Sequence, residues 1–163
     1  MGRLPIVWKN QNSSRQGAKT QRDTRLTMPV GYSKKSLIEK LGIKDGFAIA
    51  ILGAPENYAA TLGQLPSGVK QANKLKGPLD FIQFFSSRRS RLNEQFPRLK
   101  AALSPSGMLW VSWPKASSGV PTDLTENVVR EIGLANGLVD VKVCAVDEVW
   151  SGLKFVYRIK DRP

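Results

Sequence analysis

Three short runs of residues carry side chains suited to a ligand, and each follows an apolar stretch. In Gly53-Ala54-Pro55-Glu56, Glu56 is placed to receive a ligand hydroxyl, although the helix dipole alone favours a carboxylate at a helix start. Arg88, Arg89 and Arg91, with Arg98 and Lys100 further on, make a positive field suited to phosphate groups; a solvated helix face explains them more plainly. Trp113 and Lys115 offer an aromatic platform and a cation for a flat or anionic ligand, against the plainer reading of a core-capping tryptophan beside a solvated lysine. Asp123 and Glu126 read as helix caps, and Asp80 as a carboxylate that fixes a turn. Asp147, Glu148, Trp150 and Ser151 crowd a turn over 147–152, with Lys154 just beyond. That turn reads as a contact for a protein partner, remote from any strand-end crevice.

Missing residue types narrow the chemistry further. None of the 163 residues is histidine, which removes the usual acid–base group near pH 7, the Ser-His and Cys-His nucleophile pairs, and nearly all zinc chemistry. No metal is expected. Cys144 is the single cysteine, so an intramolecular disulfide is impossible, and its place within a strand reads as an inert core thiol.

These residues need a scaffold, and the composition supplies one. With 41% hydrophobic and 23% charged residues, the chain can bury one ordinary core. No run approaches the roughly eighteen apolar residues of a membrane span, and no signal-peptide apolar region opens the sequence, so a cytoplasmic location is expected. The net charge of +12 is uneven: residues 1–27 carry six basic groups and one acidic group, and the remainder is +7. Residues 1–27 are expected to be a disordered basic tail, and 28–163 a single α/β domain. The tail is read as a nucleic-acid-binding arm, an organelle-targeting segment, or sequence upstream of the functional protein; its start does not fit myristoylation, because Ile6 stands where that motif wants Ser or Thr.

Periodicity predicts the elements. Ser33 caps a helix over 34–41, stopped by Gly42. The apolar run 47–52 is a strand covered on both faces, followed by a brief helix over 56–62 and a weak strand near 69–75. A strand over 79–85 precedes a helix over 90–103, with Leu92, Phe96, Leu99 and Leu103 at helical spacing. Pro105-Ser106-Gly107 is read as a turn before a buried strand over 108–113, and a helix capped by Asp123 runs to Asn136, with Glu126 in the capping-box position. Two alternating strands, 138–146 and 153–159, close the chain as an antiparallel pair. Strands alternating with helices predict a Rossmann-like three-layer sandwich whose mostly parallel sheet ends in an antiparallel hairpin. Ligands of such sheets sit beyond the strands' carboxyl ends, which points to 53–57, 86–88 and 113–122.

The order of parts resembles a class I S-adenosylmethionine-dependent methyltransferase. Leu41-Gly42-Ile43-Lys44-Asp45-Gly46 before the first strand, Leu79-Asp80-Phe81-Ile82, the Leu-Ser-Pro-Ser-Gly run at 103–107 before Leu109-Trp110-Val111-Ser112, and the closing hairpin carry that resemblance over roughly 34–159. More narrowly, runs like Trp110-Val-Ser-Trp-Pro-Lys115 and Thr122-Asp-Leu-Thr-Glu126 are similar to a small bacterial family of unknown function. The methyltransferase resemblance implies a cofactor at Gly53, Pro55, Glu56, Trp113 and Lys115. The departures from it are a turn with one glycine, a proline that removes a donor and stiffens the loop, no acidic residue among Gln71, Ala72, Asn73 and Lys74 for ribose hydroxyls, and no third strand. They lead to the expectation of no cofactor and a binding or regulatory role. An active methyltransferase with an atypical cofactor loop is the alternative, since an activated methyl donor relies on positioning rather than on a strong base. Sequence-independent nucleic-acid binding through the tail and Arg88, Arg89 and Arg91 is the third reading.

Overall fold

A computed structural model describes residues 35–163; the basic stretch 1–27 and the expected Ser33 cap lie outside the described residues. Helix α1 (Leu37–Leu41) is instead capped by Ser36, whose hydroxyl accepts from the Glu39 amide at 3.2 Å while Glu39 accepts from the Ser36 amide at 3.0 Å. The apolar run after it becomes strand β1 (Ala48–Leu52), then come helix α2 (Tyr58–Leu62), a short strand β2 (Lys70–Ala72) and strand β3 (Leu79–Phe85). Helix α3 (Arg89–Ala102) leads into β4 (Leu103–Pro114), helix α4 (Glu126–Ala135) into β5 (Val139–Ala145), and β6 (Trp150–Val156) closes the sheet.

The sheet runs in the order β2-β1-β3-β4-β6-β5. Strands β2, β1, β3 and β4 are parallel, and β6 is antiparallel to both β4 and β5. This is the Rossmann-like architecture expected from the alternation. Because β3 is buried on both faces, its alternate residues serve two cores: Ile82 and Phe84 pack with Leu92, Phe96 and Leu99 of α3 and Val129 and Ile132 of α4, whereas Phe81 and Phe85 pack with Leu41 of α1 and Tyr58 and Leu62 of α2. The chain leaves β1 for β2 on one side and returns to β3 on the other. The order therefore reverses between β1 and β3, and a crevice opens there at the carboxyl ends.

Several local expectations are corrected. Pro105-Ser106-Gly107 is part of β4 rather than a turn: Leu79 pairs with Leu103 and Phe81 with Met108, so the extra residues bulge out of the ladder. Thr125, not Asp123, caps α4, its hydroxyl accepting from the Val128 amide at 3.2 Å, which places Glu126 at the first helical residue. Asp123 caps the other helix, accepting from the Arg89 amide of α3 at 2.7 Å. Trp150, Ser151 and Gly152 belong to β6 rather than to the hairpin turn. Ile159 lies beyond β6, 81% exposed. Val141 and Val143 are exposed as well, on β5 at the sheet's edge.

Candidate functional site

Four chain segments meet at the carboxyl end of the parallel strands. Gly53 turns the chain out of β1 with φ +71°, and a Cβ there would stand 2.7 Å from the Phe85 carbonyl oxygen, so only glycine lets β1 end this close to β3. Ser86 continues β3 through its amide, which donates to the Ser112 carbonyl at 3.0 Å. The loop beyond β4 is tied to the loop beyond β3 by the Thr122 hydroxyl, which donates to the Ser87 carbonyl at 2.7 Å. The β5–β6 turn is fastened to the end of β4: the Lys115 amide donates to Val149 at 2.7 Å and its ammonium to the Asp147 carbonyl at 2.6 Å. Within that turn the Asp147 carboxylate accepts from the amides of Val149 and Trp150, both at 2.8 Å.

Two hollows flank the β1–α2 turn. One, about 290 Å³, is the switch-point crevice; it is lined by Gly53, Phe85, Ser86, Ser87, Arg88, Arg91 and Trp150. The other, about 280 Å³, is of mixed polarity, with Glu56 and Gln71 in its lining beside Ile51, Ala54 and Leu62. The floor is an aromatic stack: Tyr58 meets Phe85 edge to face at 4.8 Å, and Phe85 meets Trp150 at 5.1 Å. Beneath it runs a buried polar chain in which the Tyr58 hydroxyl donates to Gln83 at 2.6 Å and the Gln83 amide donates to the Ser112 hydroxyl at 3.2 Å. Gln83 and Ser112 are fully buried, so each depends on the others for hydrogen bonds.

Burial raises the Tyr58 phenol well above its ordinary value of 10.0, and the Gln83 bond only partly opposes this. Below pH 10 the phenol is neutral folded or unfolded, and its contribution to stability is fully present. Above pH 10 the unfolded phenol ionises while the buried one stays neutral, so that contribution is lost at up to about 1.4 kcal/mol per pH unit until the raised folded value is reached. Urea unfolding of wild type and Tyr58→Phe at rising alkaline pH checks this. The variant is expected to be less stable by about 1–3 kcal/mol at neutral pH, because Gln83 loses its partner, and the gap is expected to narrow above pH 10.

The structure brings some of the sequence candidates together and separates others. Gly53, Arg88 and Arg91 share the switch-point crevice; Pro55 and Glu56 line the second hollow; Trp113 and Lys115 lie in a third of about 580 Å³ beyond β4. Arg89 is exposed, outside the crevice lining, with its amide held by Asp123. Lys100 is used structurally, donating to the Asn136 carbonyl at 2.7 Å beside the Tyr157 ring. Asp80 secures the start of β1 by accepting from the Ala48 amide at 2.8 Å. The hairpin tip is not remote: Trp150 pairs with Pro114 and lines the switch-point crevice. Tyr58 and Gln71 were missed as site residues and Trp150 was read only as a partner contact, whereas Ser86 falls within the expected 86–88 segment. The antiparallel return of β6, legible in the alternation of its residues, was the one signal for Trp150, because it puts the start of β6 beside the end of β4. Burial raises the Cys144 thiol, in keeping with a partly buried structural cysteine.

Among the described residues no cluster of three or more His, Cys, Asp or Glu side chains is placed to hold a metal, and no helix is long and apolar enough to cross a membrane.

No protein-family model matches the chain, and no curated protein matches it. Solved structures similar to it are SAM-dependent methyltransferases. The magnesium protoporphyrin IX methyltransferase of Synechocystis with bound SAH is 11% identical, with 75% of this chain and 78% of that chain covered at a TM-score of 0.49. The same enzyme with bound SAM is 10% identical over 75% and 74% of the two chains, again at 0.49. A SAM-dependent methyltransferase from Aquifex aeolicus is 14% identical over 73% and 86%, at 0.48. The likeness is one of fold. The expectation of no cofactor is corrected by these findings, since two of the structures hold SAH or SAM.

Proposed function

We propose that this methyltransferase-like domain binds S-adenosylmethionine where the sheet order reverses and transfers its methyl group. The observation that supports this reading is the bare Gly53 turn, which leaves two hollows of matching chemistry around one loop. Their groups fit the parts of that molecule: Glu56 and Gln71 accept and donate to ribose hydroxyls, Arg91 and the Ser86–Ser87 segment meet the carboxylate, and the Trp150 indole offers a flat apolar wall. Glu56 takes over the task that an acidic residue at the end of β2 was expected to perform. When bound, the cofactor supplies a methyl group already activated for transfer. The protein's part is then to orient the partners and exclude water, for which neither histidine nor a strong base is needed. The loops are suited to holding a fixed geometry, because the Thr122, Lys115 and Asp147 hydrogen bonds tie them to one another.

Thermal unfolding with excess S-adenosylmethionine tests the reading. At 100-fold over Kd the ligand adds about 2.7 kcal/mol, which raises Tm by roughly 5–10 °C. Glu56→Gln, at an exposed position, is expected to keep the unliganded Tm and lose most of that rise. An unchanged Tm of wild type at saturating concentrations overturns the reading.

A further inference from the structure

The switch-point crevice does not end at α3. Ser87 and Arg88 also line a neighbouring hollow of about 580 Å³, which in turn shares Val120, Pro121 and Thr122 with the Trp113–Lys115 hollow. The three adjoin one another around the loop beyond β4; Trp150 lines the first and Trp113, only 5% exposed, lines the third, from neighbouring positions on β6 and β4. Arg88 and the helix α3 that follows it are strongly basic: Arg88, Arg89, Arg91 and Arg98 are all exposed, Arg88 and Arg91 lining the crevice and Arg89 and Arg98 outside it, and no ion pair among the described residues engages any of them. Arg91 and Arg98 stand seven residues apart on one helix face, about 10 Å along the axis. Of the acidic groups nearby, Asp123 is engaged by the Arg89 amide and Glu126 by Arg130 at 2.6 Å, and only Glu94 stands exposed on α3 between Arg91 and Arg98.

The geometry points to a single-stranded nucleic acid as the acceptor, its phosphates on Arg88, Arg89 and Arg98 and an unstacked base in the hollow lined by Trp113 and Lys115. A row of exposed guanidinium groups matches a repeating anion, and a hollow lined by Val120, Pro121 and Trp113 has room for a flat ring, which a duplex keeps stacked inside. This assignment rests on the cofactor reading above only for the chemistry done on the base; binding of the strand does not require the cofactor.

Fluorescence anisotropy of short labelled RNA and DNA single strands against the full chain tests it, without cofactor, from roughly 50 to 200 mM salt. Log affinity is expected to fall with log salt by about 0.7 per phosphate contacted. Arg89→Gln/Arg98→Gln is expected to flatten that slope by about 1.4 and to weaken binding about tenfold at the lowest salt. The variant's Tm and its titration with S-adenosylmethionine are expected to match wild type, since neither arginine lines the cofactor crevice. An unchanged slope overturns the proposal, as does equally tight binding of a duplex or of polyglutamate. Salt-dependent strand binding in a protein that ignores S-adenosylmethionine leaves this inference standing and removes the cofactor reading; the opposite pattern does the reverse.

Discussion

Gly133→Ala is expected to lower Tm by about 4–8 °C, although alanine is the better helix former. Gly133 lies inside α4, where exchanging glycine for alanine normally gains roughly 1 kcal/mol. A Cβ at this position, however, would stand 2.0 Å from Cε1 and 2.5 Å from Cζ of Phe155. That ring is fully buried and meets Phe96 edge to face at 5.7 Å, so it cannot swing aside without disturbing α3. Overpacking a closed core costs about 3 kcal/mol at the upper end of the usual range; the packing term wins, and the net loss is about 2 kcal/mol, which for a chain of this length gives the stated change in Tm. Calorimetric melting of Gly133→Ala, Phe155→Leu and the double variant decides the cause. Leucine removes the ring atoms nearest the new methyl, so the double variant is expected to lose at least about 1 kcal/mol less than the two single losses together. Additive losses would show that the damage lies elsewhere.

The second large effect falls on the site. Gly53→Ala is expected to reduce affinity for S-adenosylmethionine at least about tenfold and to destabilise the domain by about 2–3 kcal/mol. Two costs combine. A left-handed backbone costs an L-residue roughly 1–2 kcal/mol, and the new methyl would press within 2.7 Å of the Phe85 carbonyl, on a residue held by its pairing with Ser112 of β4. Relief requires the turn to lift away from β3, which widens the crevice lined by Gly53, Phe85 and Arg91. Isothermal titration of the folded variant, with Ala54→Gly as a control for loop composition, is the measurement. Wild-type affinity in a folded Gly53→Ala protein would mean that the ligand does not depend on this turn.

Much of the scaffold follows from the order of side chains alone. The unbroken apolar run at β1, the helical spacing of Leu92, Phe96 and Leu99, and the alternating residues of β6 each record a local periodicity, and periodicity is set by backbone geometry within a few residues. The strand–helix alternation then permits few topologies, so the mostly parallel sheet and its antiparallel end were legible. Boundaries were less so. Ser36, Asp123 and Thr125 are all competent caps, and which helix each serves depends on where the neighbouring strand ends.

The candidate site was read in pieces, and tertiary structure decided which pieces meet. The strand-end rule linked Gly53 with Arg88, but no sequence motif linked Trp150 to them; the three share a crevice because the sheet order reverses between β1 and β3 while β6 returns antiparallel beside β4. The Tyr58–Gln83–Ser112 chain and the tight seat of Gly133 against Phe155 are equally invisible in sequence, where Gln83 interrupts an apolar strand and Gly133 an ordinary helix. Local preference states which element a residue joins, but whether two side chains touch is a long-range property, set only when the sheet has closed and the helices have packed on it.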